Sequence, residues 1–382
     1  MKKSLALSIF AEQAAFWLLL LGVGGLAWWL GGVDFRGYYA AAVAVKQGVN
    51  PYDYSQLAPI LEHITGYVGN NPYYYPPYYS LVFLPLTLVD FQIARAIWLL
   101  INLGLFIIAL ELSVRIVDYR NQHKWLLYIG LLLGLGTYCL RSEQTGIIML
   151  LGLGMILWNI KHKKVIPLAV GLALIFLKPQ VSWLAIIAVG FWLLTRYRRA
   201  LISSIAFMII LIGLSVIAIP NWHELPVDFS GLWETNEGST RVNATLYDYL
   251  TYQHNVTNPI LIITGVIIIS ALIVTALWVT RNDIVPFIGI AYAGGLALTP
   301  YALQYDYVPL VLMVLWVIKE AQSNKVIIYT LLGAGGLVLI WQSWSYQGYL
   351  QLTFILIACL VVITKKFIIP PSTNSAALAD EQ

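Results

Sequence analysis

Hydrophobic residues fall into blocks of about 15–25 along nearly the whole chain, the length that crosses a bilayer core. That spacing decides the fold class before any motif is read. Of the 382 residues, 60% are hydrophobic and 10% charged, whereas a soluble domain carries about 25% charged residues. The blocks predict spans near 8–30, 92–117, 125–140, 146–160, 165–178, 181–195, 200–219, 259–280, 284–299, 307–318, 326–343 and 349–364. The expected protein is therefore an all-α polytopic membrane protein with about 12 transmembrane helices. Residues 1–369 read as one integral membrane domain, and 370–382 as a disordered polar tail. The start MKKSLALSIFAEQ resembles a signal peptide, but it lacks a small-residue cleavage pattern and reads as an uncleaved first helix. Cys139 and Cys359 both lie in apolar blocks, so no disulfide framework is expected.

Charge gives the orientation. With the N-terminus in the cytoplasm, 16 of the 22 basic residues fall in inner loops. The outer side keeps Arg36, Lys46, Arg95, Arg141, Lys178 and Arg241. This asymmetry follows the positive-inside rule and predicts a multi-pass plasma-membrane protein with both termini cytoplasmic. Partners in the membrane are lipids, and the net charge of +4 gives no reason to expect nucleic acid.

The inner loops are short, and the outer ones are not. Residues 31–85 form a first outer loop holding ten tyrosines, and 220–258 form a second, long and polar enough for a lid. Asp34–Gln47 and Ser55–Gly66 predict short helices. In the second, Leu57, Ile60, Leu61 and Ile64 share one face, and both are expected to be interfacial helices that lie on the membrane surface rather than across it.

Eleven acids fall on the outer side, and Asp34, Glu143 and Asp306 stand hard against span ends. Charges at that depth are costly unless paired or functional. Lys178, Arg141 and Arg95 stand at the same level and are candidates to face an anion. Ordinary readings also exist: Asp34 as a helix cap, Lys178 snorkelling to headgroups, and the tyrosines around Tyr75 as an interfacial belt. No P-loop, Rossmann fingerprint, HExxH or Asp-x-Asp pair occurs, which argues against a metal-dependent enzyme using a nucleotide-diphosphate sugar. No cofactor is expected. What fits is sugar transfer from a lipid phosphate to a hydroxyl. Lysine or arginine at headgroup level stabilises the leaving phosphate, a carboxylate accepts the hydroxyl proton, and aromatic rings suit sugar faces.

The ordered motifs D-F-x-x-Y-Y-x-A-A from Asp34, G-V-N-P-Y-D from Gly48, Y-P-P from Tyr75, Glu143-Gln144-Thr145-Gly146 and Leu177-Lys178-Pro179-Gln180 resemble glycosyltransferase family 87. The resemblance implies a GT-C fold and a mannosyltransferase that uses a polyprenyl-phosphate donor and a glycan or glycolipid acceptor. In that fold the acid early in the first outer loop is the catalytic base, which carries over to Asp34. Placement at the outer span ends and turns makes Lys178, with Arg141 or Arg95, the expected phosphate ligands, and Glu143, Gln144, Gln180, Asp306 and Tyr75 the expected substrate contacts. At the late outer turn the chain reads Thr299-Pro300-Tyr301-Ala302-Leu303-Gln304-Tyr305-Asp306, without the histidine that many members carry. The rival reading is a transporter or lipid flippase, in which ionisable groups sit near mid-membrane; only Glu12 and Glu111 hint at it.

Overall fold

The structure is a computed structural model. It describes residues 2–30, 33–67, 71–219, 257–299 and 301–323, together with Leu246, Leu250 and Cys359. The lid expected at 220–258 lies almost wholly outside the described residues. So do the spans expected at 326–343 and 349–364, and the 370–382 tail.

Among the described residues every regular element is helical. Six helices are long and apolar enough to cross a membrane: Leu5–Trp29 within α1 (Lys2–Leu30), α5 (Phe91–Val117), the broken helix Lys124–Ser142, α10 (Pro179–Arg196), α11 (Arg198–Ala218) and α12 (Pro259–Thr280). The broken helix comprises α6 (Lys124–Leu131), a π-helical turn at Leu132–Gly136 and α7 (Thr137–Ser142). Three shorter apolar helices accompany them: α8 (Gly146–His162), α9 (Val165–Ile175) and α13 (Ile284–Leu298). The span expected at 307–318 divides into a 3₁₀ segment, Gln304–Leu310, and α14 (Val311–Ser323). Pro309 interrupts the ladder there, because proline offers no N–H.

Local chemistry sets the ends. Asp90 accepts hydrogen bonds from Gln92 N and Ile93 N at the start of α5, satisfying donors that a helix start leaves open. Asn258 accepts from Ile260 N ahead of Pro259, at the start of α12. α8 and α9 pack on glycines: a Cβ on Gly152 would lie 2.9 Å from the Gly171 carbonyl oxygen, and one on Gly171 2.7 Å from that of Gly152. Such close backbone approach is how small residues join helices in lipid.

A second, smaller core caps one end of the bundle. It is built from α2 (Val33–Lys46), α3 (Tyr54–Thr65), α4 (Pro77–Val82) and the start of α5. α3 buries Leu57 and Leu61, as its apolar face requires. α2 departs from expectation. A helix resting on a surface buries one face, but α2 buries Phe35, Tyr38, Tyr39, Ala40, Ala41, Ala42, Ala44 and Val45. Its alanines keep it narrow, and α3, α4 and the 3₁₀ turn at Leu84–Leu88 close around it. Phe35 and Phe83 pack against Trp98 of α5 at 6.1 and 4.8 Å, which ties the cap to the bundle.

The opposite end gathers the basic turns. There Glu12 of α1 meets His123 Nδ1 at 2.6 Å, and Glu111 of α5 meets Lys124 Nζ at 2.6 Å. The two acids that hinted at transport thus meet consecutive residues of one turn, Glu111 in an ion pair with Lys124 and Glu12 beside the His123 ring.

Candidate active site

Beneath the cap, the ends of α1, α5, α7, α9 and α13 converge, and polar side chains meet in two ion pairs and a tyrosine network. The first pair is Lys178 with Asp306: Nζ stands 2.8 Å from Oδ1, and both residues are buried. Lys178 is in place because α9 stops after Ile175 and α10 restarts at Pro179, whose fixed φ suits a first helical position. Asp306 is held from three directions. Its Oδ2 accepts from Leu303 N at 3.0 Å, its own N–H donates to the Leu303 carbonyl at 2.8 Å, and its carbonyl accepts from Tyr292 OH at 2.8 Å. The Lys178 ammonium lies 4.1 Å above the Tyr305 ring and 6.0 Å from the Tyr75 ring. Gly146 lets this turn approach, since a Cβ there would fall 2.0 Å from the Tyr305 carbonyl oxygen.

The second pair is Arg95 with Glu143, Nε to Oε1 at 2.9 Å. Arg95 also donates from one terminal nitrogen to the carbonyls of Ala27 and Trp28, each at 3.0 Å, with its guanidinium 4.8 Å from the Trp28 ring. These are end carbonyls of α1, where a helix leaves acceptors open and its dipole favours a cation. Glu143 ends α7 in a left-handed conformation, φ 56°. It is fully buried, and its Oε2 has no hydrogen-bond partner. Burial pushes its carboxyl up to about 7, against the pull of Arg95 and helped by the charge of Asp34.

Between the pairs lies Gln144. Its Oε1 accepts from Tyr75 OH at 2.9 Å, Tyr38 OH at 3.2 Å and Thr145 N at 3.3 Å. Tyr38 OH also lies 3.0 Å from Tyr75 OH, so its one proton is shared between that oxygen and Gln144, and Tyr52 OH donates to the Tyr75 carbonyl at 2.7 Å. The phenols of Tyr38, Tyr75 and Tyr305 are all raised above their ordinary value. Burial is the main cause in each, and the charge of Asp34 adds to it in all three.

Asp34 stands in the first turn of α2, half-buried. It therefore bears electrostatically on Tyr38, Tyr75, Tyr79, Tyr305 and Glu143. Of the residues singled out from sequence, the structure brings together Asp34, Tyr75, Glu143, Gln144, Lys178 and Asp306. Arg95 joins them through Glu143, in a contact that also fastens α1 to α5. Arg141 and Gln180 are exposed beside the cluster, one residue pair away from Glu143 and Lys178 respectively. Sequence reasoning did not single out Tyr38, Tyr292 or Tyr305. The signal for Tyr305 is its place beside Asp306, and for Tyr38 its place one helical turn after Asp34.

The family model for glycosyltransferase family 87 matches residues 73–303. The chain belongs to that family. The family indicates glycosyltransferase activity, and the apolar helices agree with a membrane protein. The matched stretch contains Tyr75, Arg95, Arg141, Glu143, Gln144, Lys178 and Gln180; Asp306 lies just past its end, and Asp34 lies well before its start. No curated protein and no solved structure matches the chain.

Proposed function

We propose that this family 87 glycosyltransferase moves a hexose, mannose foremost, from a polyprenyl phosphate to a hydroxyl of a glycan or glycolipid on the outer face of the plasma membrane. Asp34 takes the acceptor proton. The acceptor oxygen attacks the anomeric carbon opposite the phosphate, the carbon–oxygen bond to phosphate breaks, and the configuration inverts, as when a carboxylate activates water in an inverting glycosidase. Lys178 stabilises the charge that grows on the departing phosphate, with exposed Arg141 adding to the field. Arg95 and Glu143 fix the floor of the site. Tyr75, Gln144 and Gln180 face the sugar.

The observation that carries this reading is that the Lys178 ammonium, 4.1 Å from the Tyr305 ring and 6.0 Å from that of Tyr75, shares a buried cluster with α2, whose first turn carries Asp34 and whose Tyr38 OH lies 3.0 Å from Tyr75 OH. A base and a cation flanking aromatic rings is what an inverting transfer from a phosphate needs, with the acceptor and the leaving group served by different groups. The lack of an Asp-x-Asp pair in the sequence fits a metal-independent leaving group.

The test uses purified protein in lipid nanodiscs, labelled polyprenyl-phosphate hexoses and a membrane-extract acceptor pool. Wild type is expected to transfer label, best from the mannosyl donor. Asp34→Asn, folded normally, should lose roughly 10²–10⁴-fold, the usual worth of a positioned base. Full activity in that variant rejects Asp34 as the base. No transfer from any lipid-phosphate sugar rejects the donor class.

A further inference from the structure

Asp306 is fully buried and anchored through its second oxygen, its N–H and its carbonyl, so only Oδ1 is given to Lys178. Lys178 carries its ammonium on a four-carbon stem with several rotatable bonds, and two aromatic faces that favour a cation stand beside it, Tyr305 at 4.1 Å and Tyr75 at 6.0 Å. The carboxylate is pinned at several atoms, whereas the ammonium is tied to it through Oδ1 alone.

We propose that Asp306 is the resident counter-ion to which Lys178 returns after each transfer, so that the phosphate product is released; the inference rests on the function proposed above. The chemistry creates the need for it. A sugar phosphodiester carries one negative charge, whereas the phosphate monoester left after transfer carries up to two. In a dry site a lone ammonium holds the more charged species more tightly, so a site with Lys178 alone would trap its product. A fixed carboxylate at 2.8 Å competes for the ammonium and sets a limit on that grip. During the exchange no covalent bond changes and no proton moves: Lys178 trades a carboxylate for a phosphate and then trades back. Asp306 touches no reacting atom and is a positioning residue.

The experiment compares wild type, Asp306→Asn and Asp306→Ser in nanodiscs, with short-chain polyprenyl phosphate as the probe. The amide oxygen of asparagine still accepts from Leu303 N, and serine supplies a second charge-free variant. Both should bind the probe more tightly, by about tenfold or more, because the competing charge is gone. Inorganic phosphate should show the same tightening, since the exchange concerns the headgroup. In turnover, kcat should fall while the donor KM does not rise, and Asp306→Glu should recover kcat. A merely structural residue would instead raise KM. Unchanged or weaker probe binding by the folded charge-free variants overturns the inference, as does a raised KM with kcat intact. Failure of wild type to bind polyprenyl phosphate at all overturns the function beneath it.

Discussion

Glu143 gives one carboxylate oxygen to Arg95 at 2.9 Å and leaves the other buried with no hydrogen-bond partner. A carboxylate on one side satisfied and on the other bare is costly to charge, and it titrates near 7 rather than at its usual 4.5. Because the folded value lies above the unfolded one, the fold binds this proton more tightly than the unfolded chain does. Its contribution to stability is fully present below about 4.5 and is lost as pH rises through 7. The loss is about 3 kcal/mol, from 1.36 kcal/mol for each pKa unit. Thermal unfolding in nanodiscs across pH 4.5–8 should show this decline, and Glu143→Gln should flatten it. A wild-type curve that is flat over that window refutes the account.

Gly146 is the point at which α8 touches the turn carrying Tyr305 and Asp306. A methyl group there meets the Tyr305 carbonyl oxygen at 2.0 Å, and backbone cannot step aside as a side chain can. Gly146→Ala should cost ~1–3 kcal/mol and lower activity further than its stability loss explains, because Asp306, the partner of Lys178, rides on that turn. Gly104→Ala in α5 is the control. Nothing lies within 4 Å of its added methyl, so helix propensity should make it neutral or up to ~1 kcal/mol stabilising.

Gln144 joins the cap to the bundle through hydrogen bonds that span 106 and 69 residues of sequence. Gln144→Leu keeps the volume and removes the acceptor. It takes the acceptor from the Tyr75 hydroxyl, at ~1–3 kcal/mol for a buried group left unmet, while Tyr38 OH keeps Tyr75 OH as its acceptor. Tyr75→Phe removes one donor and leaves the amide oxygen with two, so it should cost only ~1 kcal/mol. Unfolding of the two variants side by side checks the ranking, and equal losses would mean the network is not the link.

The parts legible in the sequence are those with a strong local signal. Long apolar blocks gave the helices, and the spacing of Leu57, Ile60, Leu61 and Ile64 gave α3 with its buried face. Charges at span ends marked Glu143, Lys178 and Asp306, because a bilayer makes such placements rare. Two kinds of feature escaped. α2 is enclosed by its neighbours because alanines let them come close, and alanine carries little hydrophobic signal of its own. The partners within the ion pairs also could not be read: Lys178 and Asp306 lie 128 residues apart, and nothing local tells Lys178 from a lysine that snorkels to headgroups. Arg95 reads as an anion-facing residue in sequence, and only its contacts with Ala27 and Trp28 reveal that it also fastens helix ends.

The Lys178–Asp306 pair makes the sharpest separation of stability from function. Removing one partner leaves a buried charge alone, so Lys178→Ala should destabilise by ~3–5 kcal/mol. Replacing both with apolar residues of similar size removes the desolvation cost together with the attraction, and such swaps are often neutral or stabilising. Lys178→Met with Asp306→Leu should therefore unfold at or above the temperature of Lys178→Ala, closer to wild type, although Leu303 N loses its acceptor. The double variant should nonetheless transfer no sugar, since no ammonium is left to meet the departing phosphate. If it folds like wild type and retains transfer, the leaving-group role of Lys178 is wrong. If it is less stable than Lys178→Ala alone, the pair contributes to the fold through more than its charges.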